Sequence, residues 1–238
     1  MIRMAFSAER LAAGRIILDA AEAHYLGPVM RLQSGEAIEA LVEGLGLFRA
    51  VLTQEGRVLT VEESIANVES RLMEITLCPA LIKHDLLAEV VEKGTEVGIS
   101  AFEPWVSERS VVRSVSENKW LRWRAIAKEA SEQSRRNNLP EFFSLKDGAE
   151  GLALAPDQLG IVWDPNGMAL RDWWHDFFFD RSVKTVTGPE GGISPAEREV
   201  LLAQGFSPVR LGPQIYRAEN AGVFGALLLQ FLASGSQG

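Results

Sequence analysis

Cysteine is nearly absent from this chain. Cys78 stands alone, inside the apolar run Ile75-Thr76-Leu77-Cys78. No disulfide framework can form within the chain, and the residue reads as a buried thiol in a reducing compartment. Histidine is scarce as well. His24, His84 and His175 have no ligand-like spacing, which argues against a structural zinc site. Long apolar runs are missing. The longest, residues 223–233, is interrupted by Gln230 and is too short to span a bilayer. Charges at Arg3, Glu9, Arg10 and Arg15 leave no apolar signal region near the start. A cytoplasmic protein with no membrane partner is expected. There is no internal repeat, and low complexity is confined to the short 234–238 tail.

What is present fits a folded enzyme-sized chain. Its 238 residues, 47% hydrophobic and 24% charged with ten prolines, suit one large domain or two modest ones. The net charge of −8 runs against a nucleic-acid partner. Locally the balance reverses: residues 109–136 hold eight Lys/Arg against three Glu. Affinity for RNA depends on local phosphate neutralisation rather than on total charge. The same segment also suits a solvated helix face.

The first 70 residues differ from the rest. Alternating segments Glu36–Val42 and Gly46–Thr53 flank Glu43-Gly44-Leu45, a hairpin signal. Arg57–Glu63 follows after Glu55-Gly56, and Ala20–Tyr25 reads as a short helix. Short strands with glycine turns suggest a small β-barrel or curled sheet, with a boundary around Ala66–Ser70. From there strand and helix alternate. Strands are expected at Leu72–Leu81, Ala101–Val106, Gly160–Asp164, Val183–Thr187 and Pro208–Leu211. Helices are expected at His84–Val97, Glu117–Asn137, Ala169–Phe179, Pro195–Gln204 and Glu219–Ala233. Pro165-Asn166-Gly167 closes the third strand. Ser194 with Glu197 three residues on predicts a capping box. This alternation implies a parallel sheet with helices on both faces.

Two glycine-bearing loops follow the last two strands: Gly188-Pro189-Glu190-Gly191-Gly192 and Leu211-Gly212-Pro213-Gln214-Ile215-Tyr216-Arg217-Ala218-Glu219-Asn220-Ala221-Gly222. Glycine permits positive φ and close backbone approach. Either loop alone also suits an ordinary tight turn. The first lacks the Gly-x-Gly-x-x-Gly spacing of a dinucleotide fold and the Lys-Ser/Thr of a phosphate loop.

Two upstream stretches complete a set: Glu92-Lys93-Gly94-Thr95-Glu96-Val97-Gly98-Ile99, leading to Ser107-Glu108-Arg109-Ser110, and Glu129 to Pro140 with Glu132-Gln133 and Arg136. In this order the chain resembles the RsmE family of small-subunit rRNA (uracil-N3)-methyltransferases, within the SPOUT class of knotted enzymes. The resemblance spans roughly residues 72–232. His24 and Arg31-Leu32 before Gly35 extend it weakly to the N-terminal part.

The resemblance implies an α/β fold: a SPOUT-type parallel sheet with a C-terminal trefoil knot over residues 71–238, plus a small PUA-like β-barrel over residues 1–70 that helps bind RNA. Ordinary topology rules nearly exclude knots, so the knot rests on the resemblance alone. The implied cofactor is S-adenosyl-L-methionine. It carries no phosphate, and needs backbone donors and acceptors with apolar walls. Three loops supply them: Trp163 and Asp164; Thr187, Gly188, Pro189, Glu190, Gly191 and Gly192; and Leu211, Gly212, Ile215, Tyr216 and Ala218. The implied partners are small-subunit rRNA, free or assembled, and a second copy of the chain.

Arg217, Glu219 and Arg136 are the catalytic candidates, and Arg31, Arg109, Arg135 and Arg136 the RNA contacts. No metal is required. Glu132 and Arg136, at i,i+4, either pair on the helix or leave Arg136 to face RNA. Trp173, Trp174 and Phe177–Phe179 suit core or subunit interface better than base stacking. Similar proteins usually carry Arg at position 214, Leu at 216, and Thr at 218 and 220. Here Gln214, Tyr216, Ala218 and Asn220 depart, which touches side-chain contacts but not the backbone loop. A methyltransferase of the same class acting on tRNA or a ribose hydroxyl, or an inactive RNA-binding module, are the alternatives.

Overall fold

The computed structural model describes residues 1–53, 56–65, 73–175 and 181–235. The boundary expected around Ala66–Ser70, the strand start at Leu72, Phe177–Phe179 and the last residues of the tail lie outside the described residues. The chain forms two compact units, Met1–Glu69 with Lys128–Leu139, and Ser70–Ala127 with Pro140–Gly238.

The first unit contains strands β1 (Arg3–Phe6), β2 (Leu11–Ala12) and β3 (Arg15–Ile17), helix α1 (Ala20–His24), and strands β4 (Ala37–Val42), β5 (Gly46–Thr53) and β6 (Val58–Ser64). They form one six-stranded sheet in the order β1-β4-β5-β6-β3-β2. The β4–β5 hairpin is the one legible in the sequence, turning on Gly44 at φ 70°. The short strands β1 to β3 carried no pattern long enough to detect. Helix α1 starts with a capping box from Asp19 and Glu22, and Glu22 also takes Arg10 at 2.6 and 2.8 Å. Phe6, Ile16, Leu26, Ile38, Leu52 and Leu59 make the core.

Residues 128–139 pack with this unit. Ala5 N donates to Glu132 Oε1 at 2.7 Å, Arg3 Nη1 donates to Arg136 O at 2.7 Å, and Leu139 packs on Ala5, Leu41 and Leu47.

The second unit runs β7 (Ile75–Pro79), α2 (Leu87–Glu96), β8 (Ala101–Phe102), β9 (Trp105–Val106), α3 (Glu117–Gln133), β10 (Glu141–Phe142), β11 (Lys146–Asp147), β12 (Leu159–Ala169), α4 (Leu170–Trp173), β13 (Val183–Thr187), α5 (Pro195–Ala203), β14 (Phe206–Arg210) and α6 (Ala218–Gly235). The final turns of α3, from Lys128, belong to the first unit. The main sheet has the order β10-β8-β7-β13-β12-β14, with every pairing parallel. Alternate residues face opposite sides. Leu77 and Ile161 join α2 and α6 in one core, while Cys78 and Val162 join Leu201 of α5 in another. Helix α6 lies close because Gly225 has no side chain: a Cβ there would sit 2.3 Å from the Trp163 ring.

Several element limits differ from expectation for local reasons. Helix α2 starts at Leu87 rather than His84, because His84 and Asp85 sit at φ 56° and 59°, outside the helical region. The segment Ala101–Val106 is two strands, broken at Glu103-Pro104. Its first half pairs with β7 and its second with β11. Helix α3 stops at Gln133 rather than Asn137. Strand β12 does not end at Asp164. It resumes after a register shift between Trp163 and Met168, so Pro165-Asn166-Gly167 is an insertion within the strand. Within the described residues, the helix expected over Ala169–Phe179 starts at Leu170 and is interrupted after Trp173, since Trp174 is extended at φ −69° and ψ 137°. Pro208 is tolerated inside β14 because that strand is an edge. Both predicted capping residues of α5 bond as expected.

Candidate active site

Parallel strands β13, β12 and β14 lie side by side, so the chain leaves β13 and β14 at one carboxyl edge of the sheet. In open α/β sheets that edge is where ligands bind. Both glycine-bearing loops start there.

The loop after β13 is tightly built. Thr187 is buried, and its carbonyl accepts from Ala80 N at 3.0 Å and Trp105 Nε1 at 3.1 Å. Gly192 N closes a turn on Pro189 O at 2.8 Å, and Gly192 adopts φ 71°. That value suits glycine and strains any β-branched residue. Glu190 Oε1 accepts from Lys83 N at 2.9 Å, and Arg109 Nη1 donates to Gly191 O at 2.8 Å. Arg109 therefore touches the cofactor candidate loop, although the sequence suggested an RNA contact for it. A separation of 82 residues hid that pairing.

The loop after β14 folds on itself. The Tyr216 hydroxyl and Gln214 Oε1 lie 3.5 and 3.7 Å from where a Gly212 Cβ would stand, and Tyr216 packs edge-on to Phe224 at 5.6 Å. Ile215 is 81% exposed. Among the described residues, the N–H groups of Gly188, Gly191 and Gly212 donate to no protein acceptor. Three unpaired donors on glycine-bearing backbone can be offered to a ligand.

Trp163 and Asp164 are placed differently. The Trp163 side chain is only 8% exposed and packs against α6. Asp164 Oδ1 accepts from Asn166 N and Oδ2 from Arg198 Nε, each at 2.8 Å. Leu211 lies partly buried against the core. Arg217 and Glu219 flank Ala218 at the start of α6, with Arg217 Nη1 4.0 Å from Glu219 Oε1. The Arg217 side chain is 84% exposed and that of Glu219 12%. A carboxylate in the first turn is also favoured by the helix dipole.

Arg31, Arg135 and Arg136 lie in the first unit. Arg31 and Arg135 are exposed and both adopt φ 56°. The helical i,i+4 geometry expected for Glu132 and Arg136 does not form, because Arg136 lies beyond the end of α3. Arg136 Nε donates to Asn138 O at 3.1 Å. Burial lowers the Arg136 guanidinium to about 10, which leaves it charged at neutral pH. Glu132 is engaged by Ala5 N. Burial pushes its carboxyl up, against the opposing pull of that N–H and of Lys128. Burial, reinforced by Glu103, pushes the Cys78 thiol well up, in keeping with an unreactive core residue. Among the described residues no cluster of His, Cys, Asp and Glu could hold a metal, and no helix is long and apolar enough to cross a membrane.

A family model described as an RNA methyltransferase domain matches residues 68–230. The chain is 32% identical over 229 residues to a ribosomal RNA small subunit methyltransferase E of Synechocystis sp., covering 92% of this chain and 74% of that protein. It is 30% identical over 221 residues to the Bacillus subtilis protein of the same name, covering 85% and 84%. Among solved structures it is similar to a ribosomal RNA small subunit methyltransferase E from Neisseria gonorrhoeae bound to S-adenosyl methionine, with a TM-score of 0.84, 26% identity and 98% of each chain covered.

Proposed function

The chain belongs to the RNA methyltransferase domain family, beside the ribosomal RNA small subunit methyltransferase E proteins, and on that premise we propose that it methylates N3 of a uridine in 16S rRNA. It is an S-adenosylmethionine-dependent rRNA methyltransferase. The observation that carries the reading is the pair of glycine-bearing loops, 187–192 and 211–218, which leave the same edge of the sheet from the two parallel strands that flank β12, with unpaired N–H groups.

The cofactor supplies an electrophilic methyl group. The protein must then accept the uracil N3 proton and stabilise charge on the uracil carbonyls as the N3–C bond forms. Glu219 is the candidate for the proton. Arg217 and Arg136 are the candidates for the charge. Arg31, Arg109 and Arg135 are the proposed RNA contacts, Arg109 while also holding Gly191.

Residues 1–70 act as a PUA-like barrel and 71–238 as the catalytic domain, its last loops threaded in a trefoil knot. The enzyme works in the cytoplasm as a homodimer. The support for a dimer is a stripe on α6: Phe224, Leu227, Leu228 and Phe231 are 41%, 51%, 38% and 71% exposed at helical spacing on one face.

The test is nucleoside mapping of 16S rRNA from a deletion strain, with methyl transfer to that RNA by the purified protein. Loss and restoration of one 3-methyluridine is expected. Restoration of a ribose methyl, or of a tRNA methyl, would overturn the reading.

A further inference from the structure

Glu197 does more than cap its helix. Its carboxylate is buried, with the residue 8% exposed. Oε2 accepts from Ser194 N at 2.9 Å, the ordinary capping-box bond, and also from Ser107 Oγ at 3.0 Å. Oε1 accepts from Glu108 N at 2.7 Å. Among the described residues no cation pairs with this carboxylate, so three N–H and O–H donors alone hold it. Two of the three come from a segment about 90 residues away.

That segment is a tight turn. Ser107 Oγ accepts from Arg109 N at 3.3 Å, and Ser110 Oγ accepts from Ser107 N at 3.3 Å while donating to Leu81 O at 3.0 Å. The turn aims Arg109 at the glycine loop, where Nη1 donates to Gly191 O at 2.8 Å. Arg109 Cβ also lies 3.3 Å from where a Gly191 Cβ would stand. Glu197 thus holds the 188–194 loop from its helix end directly, and from its middle through Ser107, Glu108 and Arg109.

We infer that Glu197 is a positioning residue for the cofactor: by locking the 107–110 turn to the start of α5 it fixes the backbone of Gly188–Gly192 in the shape that binds S-adenosylmethionine. The inference rests on the reading of that loop as the cofactor site. Charge-assisted bonds to a buried carboxylate are strong and short. A glutamine at 197 offers one carbonyl and one NH2. Whichever way it is turned, a donor meets a donor, at Glu108 N–H or at Ser194 N–H.

The experiment is calorimetric titration of the full-length protein with S-adenosylmethionine, with melting temperatures on the same samples. Glu197→Gln should weaken binding about tenfold or more. Ser194→Ala breaks the other half of the capping box, the bond from Glu197 N at 3.2 Å, and should lower the melting temperature while changing Kd less than about twofold. Ser107→Ala, which leaves α5 intact, should weaken binding in the same direction as Glu197→Gln and serves if the latter folds poorly. Arg109→Ala should also weaken binding, and the double variant with Glu197→Gln should be no weaker than Glu197→Gln alone, since both break one link. Equal effects of Glu197→Gln and Ser194→Ala on Kd, or additive effects with Arg109→Ala, would overturn the inference. Gly188→Ala separates the two levels, because its Cβ would meet Ile193 Cγ1 at 2.7 Å. If Gly188→Ala abolishes binding and Glu197→Gln behaves like Ser194→Ala, only the role of Glu197 falls. If Gly188→Ala leaves Kd unchanged, the site reading falls and the inference with it.

Discussion

Replacing Arg135 by glycine should stabilise the protein, although it removes a charged side chain that contacts no core. Helix α3 closes with Ser134 N on Ala130 O at 2.9 Å and Arg136 N on Ser131 O at 3.0 Å. That six-residue closure requires one residue in the left-handed region, and Arg135 occupies it at φ 56°. An L-residue there costs about 1–2 kcal/mol. Glycine avoids that cost but loses about 0.5–1 kcal/mol more backbone entropy on folding. The difference favours glycine by up to about 1.5 kcal/mol.

Arg135→Ala is the control, since it deletes the same charge and keeps the strain. Urea denaturation of the three proteins should show a higher midpoint for Arg135→Gly, an unchanged slope, and Arg135→Ala within about 0.5 kcal/mol of the parent. A midpoint for Arg135→Gly at or below that of Arg135→Ala would refute the reasoning. RNA binding then supplies a second axis. If Arg135 meets a phosphate, both variants lower the slope of log affinity against log salt by the same amount, roughly 0.7–0.9. Unequal effects on stability with equal effects on salt dependence would separate the two roles of one residue.

Gly192→Val should abolish S-adenosylmethionine binding by calorimetry while the protein still folds. Position 192 has open space but φ 71°, so the strain is in the loop backbone alone. Glu219→Gln should lower single-turnover kcat with little change in cofactor affinity if Glu219 accepts the proton, and activity should rise toward alkaline pH. A fall in melting temperature with kcat spared would show a helix-capping carboxylate instead. Leu227→Glu with Phe231→Glu should give a monomer by light scattering at micromolar concentration, and a parent protein that is already monomeric would remove the dimer. Glu132→Gln should flatten the pH dependence of stability. The Glu132 carboxyl is raised in the folded state, so its charged form destabilises as pH climbs from the ordinary glutamate range through the raised value. Above that range the variant should be the more stable protein, by chemical denaturation at pH 4 and pH 8.

The parallel sheet is legible because strand and helix patterns alternate from residue 72 onward, and because Ser194 and Glu197 mark a helix start that depends only on neighbours in sequence. The same residues also show where legibility stops. The capping box was visible, but the bonds from Ser107 and Glu108 to the same carboxylate were not, since nothing local encodes a contact about 90 residues away. Helix periodicity ran through His84 and Asp85 because side-chain pattern is blind to left-handed backbone. The turn signal at Pro165-Asn166-Gly167 predicts a strand end, yet Gly167 allows the chain to pass the Pro208 backbone, 2.4 Å from where a Cβ would be. Trp163, expected in a cofactor loop, packs its ring against α6 at Gly225, a contact across 62 residues of sequence that no local pattern encodes.

The departures in the final loop can now be weighed by what they touch. Tyr216 packs its ring on Phe224, and its hydroxyl lies near Gly212. Asn220 enters α6 through a backbone bond from its N to Arg217 O at 3.0 Å, which threonine would make equally well. Ala218 carries no polar atom to leave unpaired. None of these side chains sets the course of the backbone, which is fixed by its exit from β14 and its entry into α6. A site that reads its cofactor through unpaired N–H groups tolerates such exchanges, because the recognising atoms are the same in every residue but proline. Side chains that leave the loop, as Arg217 does with most of its surface in solvent, act instead on whatever approaches from outside. If the proposed site is right, substitutions at 214 to 220 should change RNA transfer more than cofactor affinity, and cofactor affinity should follow the backbone and the contacts that hold it.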